Sequence, residues 1–296
     1  EEITTIGISS FYNCKINKIN FPTKSKLREI GNNAFIDCTL PRSITLPDGL
    51  TSIGNSTFSG YYLLISIDLP KSVTSIGDSA FSKCMSLSSI TLSENVESIG
   101  KNVFIGCENL KSITVSSDNL NYKSIDGVLF NKNGSQLILY PQRKRETTYT
   151  IPDGVITIYN SAFAGCRELE SITITDSVRA IGRGAFYGCD SLKSVTLSKG
   201  ITSIEGSAFA GCKSFTSINI PNSVAYIGEF AFSECNSLNS ITLPDGITSI
   251  DESTFWLCSS LKSITLPDGI TSIMNSAFWG CFSLESITLS DGITYI

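Results

Sequence analysis

Apolar residues recur along this chain in a fixed phrase, shown clearly by "CMSLSSITLSENVESIGKNVFIG" from Cys84 to Gly106. Its apolar positions are Cys84, Leu87, Ile90, Leu92, Val96, Ile99, Val103 and Phe104. Ile90 and Leu92 alternate with Ser89 and Thr91, the period of a strand with one buried face. A turn phrase follows, spelled Pro-Asp-Gly at 47–49, 244–246 and 267–269. Proline presets the turn and glycine admits positive φ, so the chain reverses there. Val96 and Ile99 predict a second, short extended segment. "GKNVF" or "GDSAF" is too short for a full α-helix and predicts a helical or 3₁₀ turn that carries Phe inward. Each phrase is therefore one coil with at least two extended sides.

The phrase repeats every 23 residues, as the spacing of Cys84 and Cys107 and of the cysteines from Cys166 to Cys281 shows. Tyr61 stands where a cysteine is due, and Cys14 to Cys38 carries a one-residue slip. A Phe precedes each of these positions by three residues, from Phe11 through Phe58 and Phe163 to Phe278. A coil of this kind cannot bury its apolar residues alone, so neighbours must stack with strands about 4.8 Å apart in a parallel sheet. The expectation is a right-handed, β-rich solenoid of about 11–12 repeats, forming a single domain over 1–296. Ile3, Ile6 and Phe11 match Val96, Ile99 and Phe104, and Ile293 and Ile296 match Val96 and Ile99. Both ends thus fall inside a repeat, which suggests a piece of a longer polypeptide. One interruption, about 117–148, breaks the register. There "GVLF" (127–130) and "QLILY" (136–140) flank Asn131-Lys132-Asn133-Gly134, predicting an inserted β-hairpin. Ile151 then takes the Leu92 position.

Composition narrows the chemistry. The 296 residues contain no histidine, which removes Ser-His-Asp and Cys-His catalysis and imidazole metal ligation. A net charge of -5 argues against nucleic acid, whose phosphates require a clustered basic face. The one dense basic run is Arg143-Lys144-Arg145. No apolar run approaches the ~20 residues that span a bilayer, so a membrane would be reached only through an anchor outside this chain. Glu1-Glu2 is not the start of a signal peptide.

The phrase L-x-S-I-T-L-P-D-G-I-T-S-I-G-x-S-A-F-x-G-C resembles the BspA-type leucine-rich repeat, through Leu192, Val195, Leu197, Ile201, Ile204, Ala208, Phe209 and Cys212 and their equivalents. The insertion "SIDGVLFNKNGSQLILYP" resembles an island recurrent in that family. The resemblance implies a leucine-rich-repeat solenoid, secreted or displayed at the cell surface. Some members are adhesins for host proteins such as fibronectin and fibrinogen. The family defines no catalytic residue, metal site or cofactor, and its ligands do not transfer with the scaffold.

Candidate features divide between scaffold and recognition. The cysteines read as buried free thiols in one column: side chains stacked in parallel point the wrong way for a relaxed disulfide dihedral, although neighbouring rungs are near enough to bridge. The position five after each Cys is Ser in ten coils, from Ser43 to Ser286, and position seven is mostly Thr. That hydroxyl array suits the exposed face of a strand, and a carbohydrate- or ice-binding array is the functional alternative. Asn55-Ser56-Thr57 and Asn133-Gly134-Ser135 match the N-glycosylation pattern. The positions that vary are more informative. Trp256 and Trp279 follow their Phe in adjacent coils, Tyr187 does so in another, and Phe282 lies just beyond. These four, with Tyr140, Arg143, Lys144 and Arg145 of the insertion, are the candidate binding surface. Packing against further coils is the competing explanation for the tryptophans, and a bend in the solenoid for the insertion. The repeated acids Asp48, Asp245 and Asp268 belong to turns, and no unique acid pair suggests a glycosidase. The expected role is a non-enzymatic interaction or adhesion module for a protein or glycan ligand, such as a host extracellular-matrix or surface protein. A structural spacer presenting another domain is the alternative.

Overall fold

The computed structural model describes residues 3–16, 18–22, 24–38 and 42–296. They form a parallel β-solenoid of about 12 turns. Internal contacts gather the chain into two compact units, Glu1–Gly134 with Tyr140–Lys144, and Ser135–Leu139 with Arg145–Ile296.

In the first unit, the short strands Thr5–Ile6, Glu29–Ile30, Ser52–Ile53, Ser75–Ile76 and Ser98–Ile99 pair in parallel, aligning Ile6, Ile30, Ile53, Ile76 and Ile99. A second side holds the longer strands, Ser43–Thr45 with Ser66–Asp68 and Ser89–Leu92 with Ser112–Val115. The second unit repeats the plan. Gln136–Leu139, Thr157–Ile158, Ala180–Ile181, Ser203–Ile204 and Tyr226–Ile227 line one side, and Ser217–Asn219, Ser240–Thr242, Ser263–Thr265 and Ser286–Ile287 the other. The alternation predicted from Ile and Ser/Thr is present: Ile44, Ile241 and Ile264 are buried between exposed hydroxyl-bearing neighbours.

The third side differs from its prediction. No helix or 3₁₀ turn forms at the Gly-x-x-x-Phe phrase, which is instead a run of linked turns. The reason lies in where alternate N–H groups point. Ser79, Phe81 and Lys83 donate forward to the carbonyls of Lys101, Val103 and Ile105 in the next coil. Ala80, Ser82 and Cys84 donate back three residues. Half of the donors are thus taken by the neighbouring coil, and a continuous helical ladder cannot form. Residues two before and two after each Phe sit in the left-handed region, as at Ser79 (φ 55°) and Lys83 (φ 57°).

This geometry turns every Phe inward. In the first unit the rings from Phe11 to Phe104 stack at 5.1–5.9 Å, and in the second those from Phe163 to Phe278 at 5.0–5.7 Å. The cysteines are free thiols, in agreement with the sequence reading, but they are more than small apolar residues. Cys84, Cys189, Cys212, Cys235 and Cys258 each donate Sγ–H to the carbonyl of a Phe in the preceding coil, at 3.1–3.2 Å. Burial raises their pKa values, to about 12 at Cys107, Cys189 and Cys235. In the first unit Tyr61 replaces the thiol and is fully buried, and its hydroxyl finds no hydrogen-bond partner among the described residues.

Within the insertion, a hairpin forms upstream of the expected one. Tyr122–Ile125 pairs antiparallel with Val128–Asn131 around Asp126-Gly127, both at positive φ (50° and 78°). Asp-Gly with two left-handed residues is the type I′ hairpin turn, whose twist matches that of the strands. Buried Asn119 anchors the insertion by donating to the carbonyls of Ser93 and Val96. Strands also lie on both sides of Asn131–Gly134, at Val128–Asn131 and, in the second unit, at Gln136–Leu139.

Candidate functional site

The candidate residues separate by burial. Tyr140 is only 1 % exposed and is corrected from a surface to a core residue of the first unit. The Lys144 ammonium lies 5.7 Å from the centre of its ring while donating to the Asp126 carbonyl at 2.8 Å. Lys144 is therefore half-buried and engaged, whereas Arg143 and Arg145 are exposed. Arg143 belongs to the first unit, held by its N–H to the Leu110 carbonyl, and Arg145 to the second.

The remaining candidates lie in the second unit, Tyr187, Trp256 and Trp279 at one position of the repeat and Phe282 just after Cys281. On the residue after each Phe, the second unit reads Ala164, Tyr187, Ala210, Ser233, Trp256 and Trp279. Trp256 and Trp279 stack with centroids 5.3 Å apart and planes 12° from parallel. Trp279 is 55 % exposed, Tyr187 56 % and Phe282 80 %. The small members of the column, Ala164, Ala210 and Ser233, are recessed and buried.

The backbone holds both tryptophans in place: their N–H groups donate back three residues, to Ser253 and Ser276. Their neighbours Glu234 and Leu257 donate forward, to the carbonyls of Trp256 and Trp279, each at 2.7 Å. Leu257 adopts φ 55°, an expensive conformation for leucine at a position where Gly165, Gly188, Gly211 and Gly280 serve in other coils of this unit. Gly280 leaves room for it: a Cβ there would come within 2.6 Å of the Leu257 Cδ2. Trp256, Leu257 and Trp279 thus lie together on a rigid corner, and the exposed Phe282 follows three residues after Trp279.

Two further features were not singled out by sequence. In the second unit a cleft of about 300 Å³ is lined by Arg183, Glu205, Tyr226, Glu229, Asp251 and Met274. Its sequence signal was the position four before Phe. Gly occupies it where coils approach closely, as at Gly228, whose added Cβ would lie 2.6 Å from the Gly206 nitrogen. Glu205, Asp251 and Met274 replace that Gly. Arg183 pairs with Glu229 at 2.7 Å, and burial, helped by the Asp251 and Glu205 carboxylates, raises the Tyr226 pKa. In the first unit Tyr62, Leu63, Ile65 and Met85 are exposed apolar residues clustered after the Cys-to-Tyr61 departure. Among the described residues, no group of His, Cys, Asp or Glu is arranged to hold a metal ion, and no helix is long and apolar enough to cross a membrane.

The sequence matches the profile of the BspA type leucine rich repeat region in six copies, over residues 4–135, 142–222 and 202–296. No curated protein matches it significantly. Among solved structures, it is similar to a leucine rich cell surface protein of Faecalibacterium prausnitzii A2-165, with 34% identity over 88% of this chain and 76% of that one, at a TM-score of 0.79. The pneumococcal vaccine antigen PcpA shares 26% identity over 93% of this chain and 73% of its own, at a TM-score of 0.81. A leucine-rich repeat protein of Eubacterium ventriosum shares 27% identity over 99% and 72%, at 0.73.

Proposed function

Since this chain belongs to the BspA-type leucine-rich-repeat family, we propose that it is a non-enzymatic protein-interaction module acting outside the cell, with its contact surface on the second unit. The stacked Trp256–Trp279 pair carries this reading. Tryptophan dominates binding energetics when it is pre-ordered and then desolvated by a partner. Here the indoles are already held by each other and by the coil backbone, so little side-chain freedom remains to be lost on binding. The likeness to a bacterial cell surface protein supports an extracellular setting. The absence of histidine and the placement of Asp245 and Asp268 in turns support a non-catalytic role.

The test is binding of the whole chain to immobilised fibrinogen and fibronectin. Trp256→Ala with Trp279→Ala should weaken binding at least about tenfold, as truncation of an interface anchor does. Arg143→Gln with Arg145→Gln should leave it unchanged. Binding that survives loss of both tryptophans would overturn the assignment of the surface, and binding to neither protein would overturn this partner class.

A further inference from the structure

The first unit holds a cavity at a place where the chain departs from its repeat. In the coil that starts at Cys84, the apolar residues Leu87, Ile90 and Leu92 come three, six and eight residues after the cysteine, and Val96 follows Leu92 by four. After Cys14 the apolar residues Ile16, Ile19 and Phe21 come two, five and seven residues on, and Leu27 follows Phe21 by six. Among the described residues, no strand lies between Ile6 and Glu29. The strand that fills the other coils with its side chains is therefore missing here, and a cavity of about 580 Å³ lies against this stretch. Leu27 and Phe35 are buried at it, and Ile6, Ile16, Ile19 and Phe21 line it half-buried. Phe35 is fixed by stacking on Phe11 at 5.1 Å and on Phe58 at 5.7 Å, which makes that wall rigid.

The charge around this cavity has one sign. Lys18, Lys24 and Lys26 line it and are exposed, and no Asp or Glu lines it among the described residues. Lysine lays its four-carbon stem on apolar surface and keeps its ammonium in water, so the stems extend the wall and the charges gather at the edge. The volume falls within the ~300–1,000 Å³ of small-molecule sites, which are mostly apolar with a few polar groups that fix orientation. An apolar interior with a cationic edge discriminates among occupants. An uncharged chain gains from the interior alone, and a cationic amphiphile is repelled at the edge. An anionic amphiphile gains from both, since the ammonium groups take a carboxylate through charge-assisted hydrogen bonds.

We propose that this cavity binds a single fatty-acid chain, with the tail against Ile16, Ile19, Phe21 and Phe35 and the carboxylate held by Lys18, Lys24 and Lys26. The site belongs to the first unit and is independent of the tryptophan surface, which belongs to the second. The test is titration calorimetry of the whole chain with decanoate, and with octanoate, decanol and decylamine for comparison. Decanoate should bind one equivalent per chain, and octanoate about tenfold more weakly for its two missing methylenes. Decanol and decylamine should each bind at least about tenfold more weakly than decanoate. Lys18→Gln, Lys24→Gln and Lys26→Gln combined should weaken decanoate about tenfold and leave decanol unchanged. Ile19→Trp, which fills the space from a half-buried position, should abolish decanoate binding in a chain whose thermal unfolding remains cooperative. Trp256→Ala with Trp279→Ala should bind decanoate as the wild-type chain does. Equal binding of decanol and decanoate would assign the cavity to an uncharged occupant and overturn the proposal. So would decanoate binding that survives the lysine substitutions, or no decanoate binding at all.

Discussion

Phe255 and Trp256 are adjacent in sequence, yet one is fully buried and the other faces outward. The Phe255 N–H reaches forward to the Ala277 carbonyl at 2.9 Å, while the Trp256 N–H returns to Ser253 at 3.1 Å. Two columns thus run along the same backbone, one of a single residue type and one that varies. The inner one is Phe in every coil of the second unit. The outer one reads Ala, Tyr, Ala, Ser, Trp, Trp. The inner column must be uniform because each ring is packed by the rings before and after it, and a change propagates to both neighbours. The outer column changes from coil to coil and breaks no continuous stack when it does, which leaves it open to carry recognition.

The most direct way to break this contrast is to truncate one member of each column. Phe209 is fully buried, with Phe186, Phe215 and Phe232 at 5.2–5.7 Å. Phe209→Ala should destabilise by about 3–5 kcal/mol, read from the denaturant midpoint. Tyr187→Ala, one coil earlier and 56 % exposed, should stay within about 0.5 kcal/mol. Similar losses at the two positions would mean that the outer column is structural as well.

The thiol column sharpens the same contrast through pH. Cys189 is pushed from the ordinary 9.0 to about 12, first by desolvation. Below pH 9 its thiol is protonated in both folded and unfolded chains, and its contribution is fully present. Above pH 9 the unfolded chain ionises first, so stability falls by about 1.4 kcal/mol per pH unit until the folded thiol titrates near 12. Cys189→Ser removes that ionisation and should flatten the alkaline slope by about that amount, compared with wild type over pH 9–11. An unchanged slope would mean that the thiol is not shielded.

What the sequence made legible follows from what is local. The strands, the coil period and the buried Phe and Cys positions are written in each repeat, because every coil meets a copy of itself. The turn on the Phe side was misread as helical because its donors are claimed by the next coil, a non-local fact, and because Ser79, Lys83 and Leu257 accept left-handed conformations that their side chains do not announce. The strands on both sides of Asn131–Gly134 are legible from their alternation, and the additional Asp126-Gly127 hairpin from its turn dipeptide. The burial of Tyr140 depends on tertiary packing, which the sequence of the insertion does not announce. The tryptophans are visible as departures from the repeat, and so are Glu205, Asp251 and Met274 of the cleft, which stand where other coils have Gly.

The smallest expected effect concerns Leu257, which belongs to the outer surface yet sits on the strained backbone of the turn. Its φ of 55° lies in the left-handed region also taken by Gly280 in the next coil and by Gly211 two coils earlier in the same column. A left-handed non-glycine residue costs roughly 1–2 kcal/mol in itself, and the half-buried leucine regains part of that by packing over Gly280. Leu257→Gly should therefore raise stability by about 0.5–1 kcal/mol, measured as a higher denaturant midpoint. It should also remove apolar surface between Trp256 and Trp279 and weaken binding to the partner protein. A more stable but weaker-binding variant would show that strain is retained at this position for recognition, as local strain at functional sites commonly is. A variant that loses stability would place Leu257 with the inner column, as packing for the tryptophan stack, and the division between scaffold and surface would then have to be drawn one residue further out.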